Sequence, residues 1–256
     1  MVAQIERNGG RVPGSVQLQG RFAIPAVAFD GSAGGLSADG RTLVLLRPRL
    51  RFPQARTTFA ILDASRLRLR TTVTLRGDFS FDAISPDGSR LYFIQYLSPR
   101  DVNRYRVRAY DVATGRLLAR PIVDPNERGP AMRGYPLTRA ASPDGRWAYT
   151  LYDGAGVHPF VHALDTATGT AHCIDLEALA AYRELYEVRL RVDGDKLVVR
   201  APERPLAVVD TRTFRVSEPQ RSSSGTWTLG GTAAAALLLA AAALSAARRR
   251  RRPWSS

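Results

Sequence analysis

The chain has 256 residues, 45% of them hydrophobic, with a net charge of +14 and a single cysteine, Cys173. That length can bury a sizeable core, as one all-β domain with an appendage or as two ordinary domains, and one cysteine excludes an internal disulfide. Five of the charges are the terminal run Arg248 to Arg252, and +14 less these five leaves a body of +9.

In chain order, residues 1–20 are polar and carry Gly9, Gly10, Pro13 and Gly14, so they read as a flexible lead-in or a poorly formed strand. They lack the basic start and apolar stretch of a secretory signal. Phe22 to Phe29, interrupted by Pro25, reads as an edge strand, because proline cannot donate to a ladder. After Asp39-Gly40 come strands Thr42 to Leu46, Thr57 to Leu62 and Leu67 to Leu75. The order then repeats. Phe79 to Ile84, Asp87-Gly88, Leu91 to Tyr96 and Tyr105 to Tyr110 form a second unit, and Leu137 to Ala141, Asp144-Gly145, Trp147 to Tyr152 and Phe160 to Leu164 a third. A fourth runs through Tyr186 to Arg191, Asp193-Gly194, Leu197 to Val199 and Leu206 to Val209. Between the third and fourth, Asp175 to Arg183 has the period and composition of a short helix.

The first turns begin at residues 39, 87, 144 and 193, and the second turns at 63, 111, 165 and 210. A period near 40–50 residues, with about four short strands per unit, is the spacing of β-propeller blades. Each such sheet buries its faces by packing on its neighbours. Asp accepts backbone hydrogen bonds within a turn and Gly takes the positive φ, so these pairs act as punctuation.

Ser85-Pro86-Asp87-Gly88 before Leu91-Tyr92-Phe93, and Ser142-Pro143-Asp144-Gly145 before Trp147-Ala148-Tyr149, resemble the WD40-like repeat of TolB-type bacterial β-propellers. The Asp-x-x-Thr-Gly hairpins of that family are matched by Asp111 to Gly115 and Asp165 to Gly169. The resemblance covers about three quarters of the chain and implies a propeller fold, which hosts binding, scaffolding and enzyme roles alike. The first and fourth units lack the proline. With four units visible, the expectation is an all-β fold: a small propeller of four or five blades over residues 21–217.

Residues 218–227 read as a linker, and 228–247 as a charge-free stretch long enough to be a transmembrane α-helix. Trp227 and Trp254 flank it as interfacial aromatics, and Arg248 to Arg252 open a basic tail, 248–256. Basic residues stay cytoplasmic. The expectation is therefore a single-pass protein of the cell membrane, its helix in membrane lipid, its propeller facing outward and its C-terminus inside. That topology needs an export signal upstream of the given start.

Function is expected in what differs between units. One difference is the long connection Ala119 to Tyr135, since long loops on rigid scaffolds carry function. Another is the histidines. Symmetric pairing about residue 167 would set His162 opposite His172, near His158 and Cys173, but the spacing fits no standard zinc pattern. No catalytic, metal or cofactor site is therefore assigned, and the motif aspartates are occupied by turns. Arginines alternate on candidate strands, as in Arg66, Arg68 and Arg70 or Arg104, Arg106 and Arg108, which places each set on one solvated face. With no basic patch interleaved with aromatics, this argues against nucleic acid as a partner. The reading is a membrane-anchored binding or protein-interaction module with an unknown protein or small-molecule partner. The alternative is an extracytoplasmic hydrolase or lyase with its site in the central channel.

Overall fold

The computed structural model describes residues 1–6, 8–127, 129–221 and 227–228. The chain divides into Met1–Ser217 and Glu218–Ser256.

In the first unit, β1 (Val2–Gln4) and β2 (Gly14–Val16) form a short hairpin within the stretch read as a flexible lead-in or a poorly formed strand. The segment Phe22 to Phe29 is not a strand. It makes single bridges at Ala23 and Ala26 before a further bridge at Leu36. Pro25 lies within it, and its missing N–H keeps a continuous ladder from forming there.

Four antiparallel sheets follow. Sheet I contains β3 (Thr42–Leu46), β4 (Arg56–Asp63) and β5 (Arg68–Arg76). Sheet II is built from β6 (Phe79–Ile84), β7 (Arg90–Tyr96), β8 (Arg104–Asp111), β9 (Arg116–Ile122) and β10 (Met132–Arg133). Here β9 and β10 share one edge of β8, so the connection between them leaves that edge and returns to it. Sheet III orders β11 (Pro136–Ala141), β12 (Trp147–Tyr152), β13 (Phe160–Asp165) and β14 (Thr170–Asp175). Sheet IV repeats that order with β15 (Arg189–Asp193), β16 (Lys196–Arg200), β17 (Pro205–Asp210) and β18 (Val216–Ser217). In place of the expected helix at 175–183 there is one 3-10 turn, Glu177–Leu179. Leu176 and Leu179, the apolar pair three residues apart, are both buried there in the core between sheets III and IV.

The sheets stack face to face, as blades do. Phe59 of β4 stacks on Phe93 of β7 at 4.3 Å between sheets I and II. Tyr92, Tyr105, Val107, Tyr152 and Leu164 fill the next interface, and Leu151, Val161, Leu197 and Val209 the one after. Each large apolar side chain so buried contributes roughly 1.5–3 kcal/mol. The free face of sheet I is covered by the N-terminal residues, with Leu18 packed against Leu45 and Leu62 beside Val2 and Val16. An all-β, propeller-type stack of four blades is thus the architecture of the first unit.

The first strand of each sheet meets one segment, residues 25–35. Its Gly35 carbonyl accepts from Val44 N in sheet I, and a Cβ on Gly34 would lie 3.1 Å from the Phe81 ring of β6. Phe29 N and Asp30 N donate to the carbonyls of Pro136 and Leu137 on β11. At sheet IV the Phe29 ring meets Tyr186 edge-on, and Asp30 lies 3.7 Å from Arg189 of β15. The inner edges of the four sheets are therefore tied by the chain itself.

In the second unit, β19 (Gln220–Arg221) pairs with β20 (Trp227–Thr228). Thr228, first residue of the expected membrane helix, is in that ladder, and 229–247 fall outside the described residues. Among the described residues no helix is long and apolar enough to cross a membrane.

Candidate functional site

Three of the four first turns share one device. Ser37, Ser85 and Ser142 each donate through Oγ to the aspartate two residues on, and accept from the backbone N of Thr42, Arg90 and Trp147 at 2.9–3.0 Å. The same aspartates, Asp39, Asp87 and Asp144, accept from backbone N two residues further on at 3.0 Å. These hydrogen bonds hold all three carboxyls below the usual carboxylate range. At the second turns Asp111 and Asp210 accept from Thr114 and Thr213, backbone and hydroxyl both. The aspartates thus serve turn geometry, and the serine two residues before Asp39, Asp87 and Asp144 is a part of the signal that periodicity alone does not show.

The inner edges gather little chemistry. Cavities of about 270 and 300 Å³ lie against the segment 25–35. The carboxylate there, Asp82 on β6, is claimed by Arg139 of β11, which donates to both its side chain and its backbone carbonyl and, at 2.9 Å, to Thr150. Among the described residues lining these two cavities, Asp82 is the one carboxylate.

The histidines do not pair as the symmetric hairpin predicts. The β13–β14 turn encloses four residues, 166–169, with Asp165 opposite Thr170, so the register is His162 against Cys173 and His172 against Ala163. The turn is fixed by Asp165 Oδ1, which accepts from Ala167 N and Thr168 N, and by Gly169 at φ +77°. A one-residue offset sends the two rings to opposite faces. His172 packs between Trp147 and Phe214, with the Phe214 ring 4.6 Å away. His162 turns inward toward Tyr152. The arginines of β8 also divide: Arg104 is exposed, but Arg108 is buried and donates to Gln95 and to the Leu118 carbonyl. Burial, then neighbouring Arg106, lowers its pKa.

What the register does bring together is the other pair of differences between units. The connection after β9 folds over the β13–β14 edge and encloses a cavity of about 320 Å³. Asp124, nearly fully buried, fastens the connection there. Its Oδ2 accepts from Cys173 N at 2.7 Å and its Oδ1 from Asn126 N at 2.9 Å. At the far end Asp153 accepts from Tyr135 N at 2.8 Å. The walls include Met132 and Phe160, with His158 3.0 Å from Asp175 at one side. His162 and Cys173, neighbours across the ladder, both line it. Burial lowers the His162 pKa to about 4, Asp82 and Asp124 opposing and Arg139 adding to the fall. Burial raises the Cys173 thiol to about 12, helped by Glu127, Asp124 and Asp175. A neutral ring beside a protonated thiol is the reverse of a catalytic thiolate–imidazolium pair. The arrangement suits binding. Among the described residues, no three His, Cys, Asp or Glu side chains come together as a metal set.

No protein-family model and no curated protein matches the chain. Among solved structures it is similar to hydrazine synthase of Kuenenia stuttgartiensis, at 20% identity over 79% of this chain and 52% of that one, with a TM-score of 0.45. It is similar also to the β-propeller domain of the Trilobed protease of Pyrococcus furiosus, at 13% identity over 77% and 56%, with a TM-score of 0.43. A third is a protein assigned as TolB in Agrobacterium tumefaciens, at 15% identity over 81% and 83%, with a TM-score of 0.40. The chain thus spans about half the length of the first two. Likenesses this distant leave the ligand open, and the propeller layout stands on the sheet order and packing above.

Proposed function

We propose that the protein is a membrane-anchored binding module, a propeller facing outward from the cell, whose ligand occupies the cavity between the 119–135 connection and the outer edge of sheet III. The observation that carries the binding reading is the meeting of the long connection after β9 with the histidine-bearing hairpin around one partly apolar cavity with a few polar groups, the usual build of a ligand site. The anchoring rests on the charge-free 228–247 stretch and the arginines after it. Two measurements test the two halves. Phe160→Glu should abolish the thermal shift given by any ligand that stabilises the wild-type protein; retained stabilisation by the same ligand contradicts the site. Protease added to intact cells should remove the propeller, and a propeller as protected as a cytoplasmic control contradicts the orientation.

A further inference from the structure

Resting on that reading of the cavity, we infer that its ligand is an organic cation: an ammonium-type head with an apolar or aromatic body. In a chain of net charge +14, the described walls carry three carboxylates, Asp124, Glu127 and Asp175, against one guanidinium, Arg133. Arg133 reaches toward Asp101, 4.0 Å away, which offsets its charge. A described wall in which carboxylates outnumber cationic groups, within low-dielectric surroundings, favours ligands of positive charge.

A second, independent feature points to an occupant. His162 is 2% exposed, lines the cavity and makes no hydrogen bond within the described residues. A neutral imidazole that lines the cavity with no protein partner among the described residues is placed to accept from a ligand N–H. The alternative of an inorganic cation is poorly served. Asp124 already accepts from Cys173 N and Asn126 N, and Asp175 holds His158. The apolar walls, Ile122, Met132 and Phe160, instead suit a hydrocarbon body, and an aromatic wall attracts an ammonium group.

Cys173, the sole cysteine, reports on the cavity directly. The full chain is alkylated with iodoacetamide at mildly alkaline pH, alone and with phenethylamine, 2-phenylethanol or 3-phenylpropanoate, three probes differing mainly in the head group. Phenethylamine should slow alkylation at the lowest concentration, and 3-phenylpropanoate should not slow it. Glu127→Gln, at an exposed position, should weaken the phenethylamine effect about fivefold, the size of one partly screened ion pair. Equal or better protection by the alcohol or the carboxylate overturns the cation assignment while keeping the cavity as a site. No protection by any probe overturns the cavity reading itself. An unchanged phenethylamine effect in Glu127→Gln overturns the role given to the carboxylates.

Discussion

At neutral pH the His162 ring is uncharged, because it sits within sheet III where a proton would be poorly solvated. Above about pH 6.5 the ring is neutral in the folded and unfolded chains alike and adds nothing to the pH dependence. Between there and about pH 4 the unfolded chain takes up a proton that the folded chain refuses. Stability therefore falls with pH by up to about 3 kcal/mol over that window and levels off below it. His162→Gln should flatten this part of the curve, measured as the difference in urea midpoint between pH 7 and pH 4.5; an undiminished slope means the ring is not held neutral. The turn carboxylates act in a separate, more acid window. Their pKa values are depressed, so their contribution is complete above about pH 4 and is lost below it. The sequence placed His162 in the right hairpin but on the wrong partner, because strand alternation is blind to whether a turn encloses three residues or four. Cys173 and Asp124 stayed separate in the sequence for a related reason: a separation of 49 positions is bridged by one side-chain-to-backbone hydrogen bond that no local pattern encodes.

At the scale of the element, the Asp-Gly turns differ in what they touch. Gly88 (φ +72°) and Gly145 (φ +71°) are docked on the N-terminal side of sheet I: a Cβ at Gly88 would lie 2.3 Å from Thr42 Oγ1, and one at Gly145 2.6 Å from Ala38 Cβ. Gly194, at φ +59°, has nothing within 4 Å. Alanine at Gly194 therefore bears only the backbone strain of a left-handed residue, about 1–2 kcal/mol. Alanine at Gly88 adds a steric clash with another blade and should destabilise by clearly more. Chemical denaturation of the two variants checks this, and equal losses would show that the turn does not press on sheet I. Most strands were legible because alternation and these turns agree, as in Leu91 to Tyr96 between Asp87-Gly88 and Asp111. The short helix expected at 175–183 was not, since Leu176 and Leu179 satisfy a single 3-10 turn as well as an α-helix.

For the whole molecule, the end of the stack matters most. Sheet I turns Leu45, Ala60 and Leu62 toward residues 2–22 and not toward another blade. Deleting residues 1–20 should lower the melting temperature and raise binding of a hydrophobic dye, because it strips an apolar blade face; unchanged dye binding would mean that other residues cover it. The polar composition of 1–20 hid this role, since among its described residues Val2, Val16 and Leu18 do the covering. The segment 25–35 carries a consequence for the order of folding. Its residues 29 and 30 hydrogen-bond residues 136 and 137 and meet 186 and 189, more than a hundred positions away. As the chain emerges from a ribosome, sheets I and II can form while residues 29 and 30 still lack their partners on sheets III and IV. Closing so long a loop comes late and slowly. Pulse-labelling hydrogen exchange during refolding should accordingly show the amides of Phe29 and Asp30 protected after those of β7 and β8; simultaneous protection would place the segment in the early nucleus.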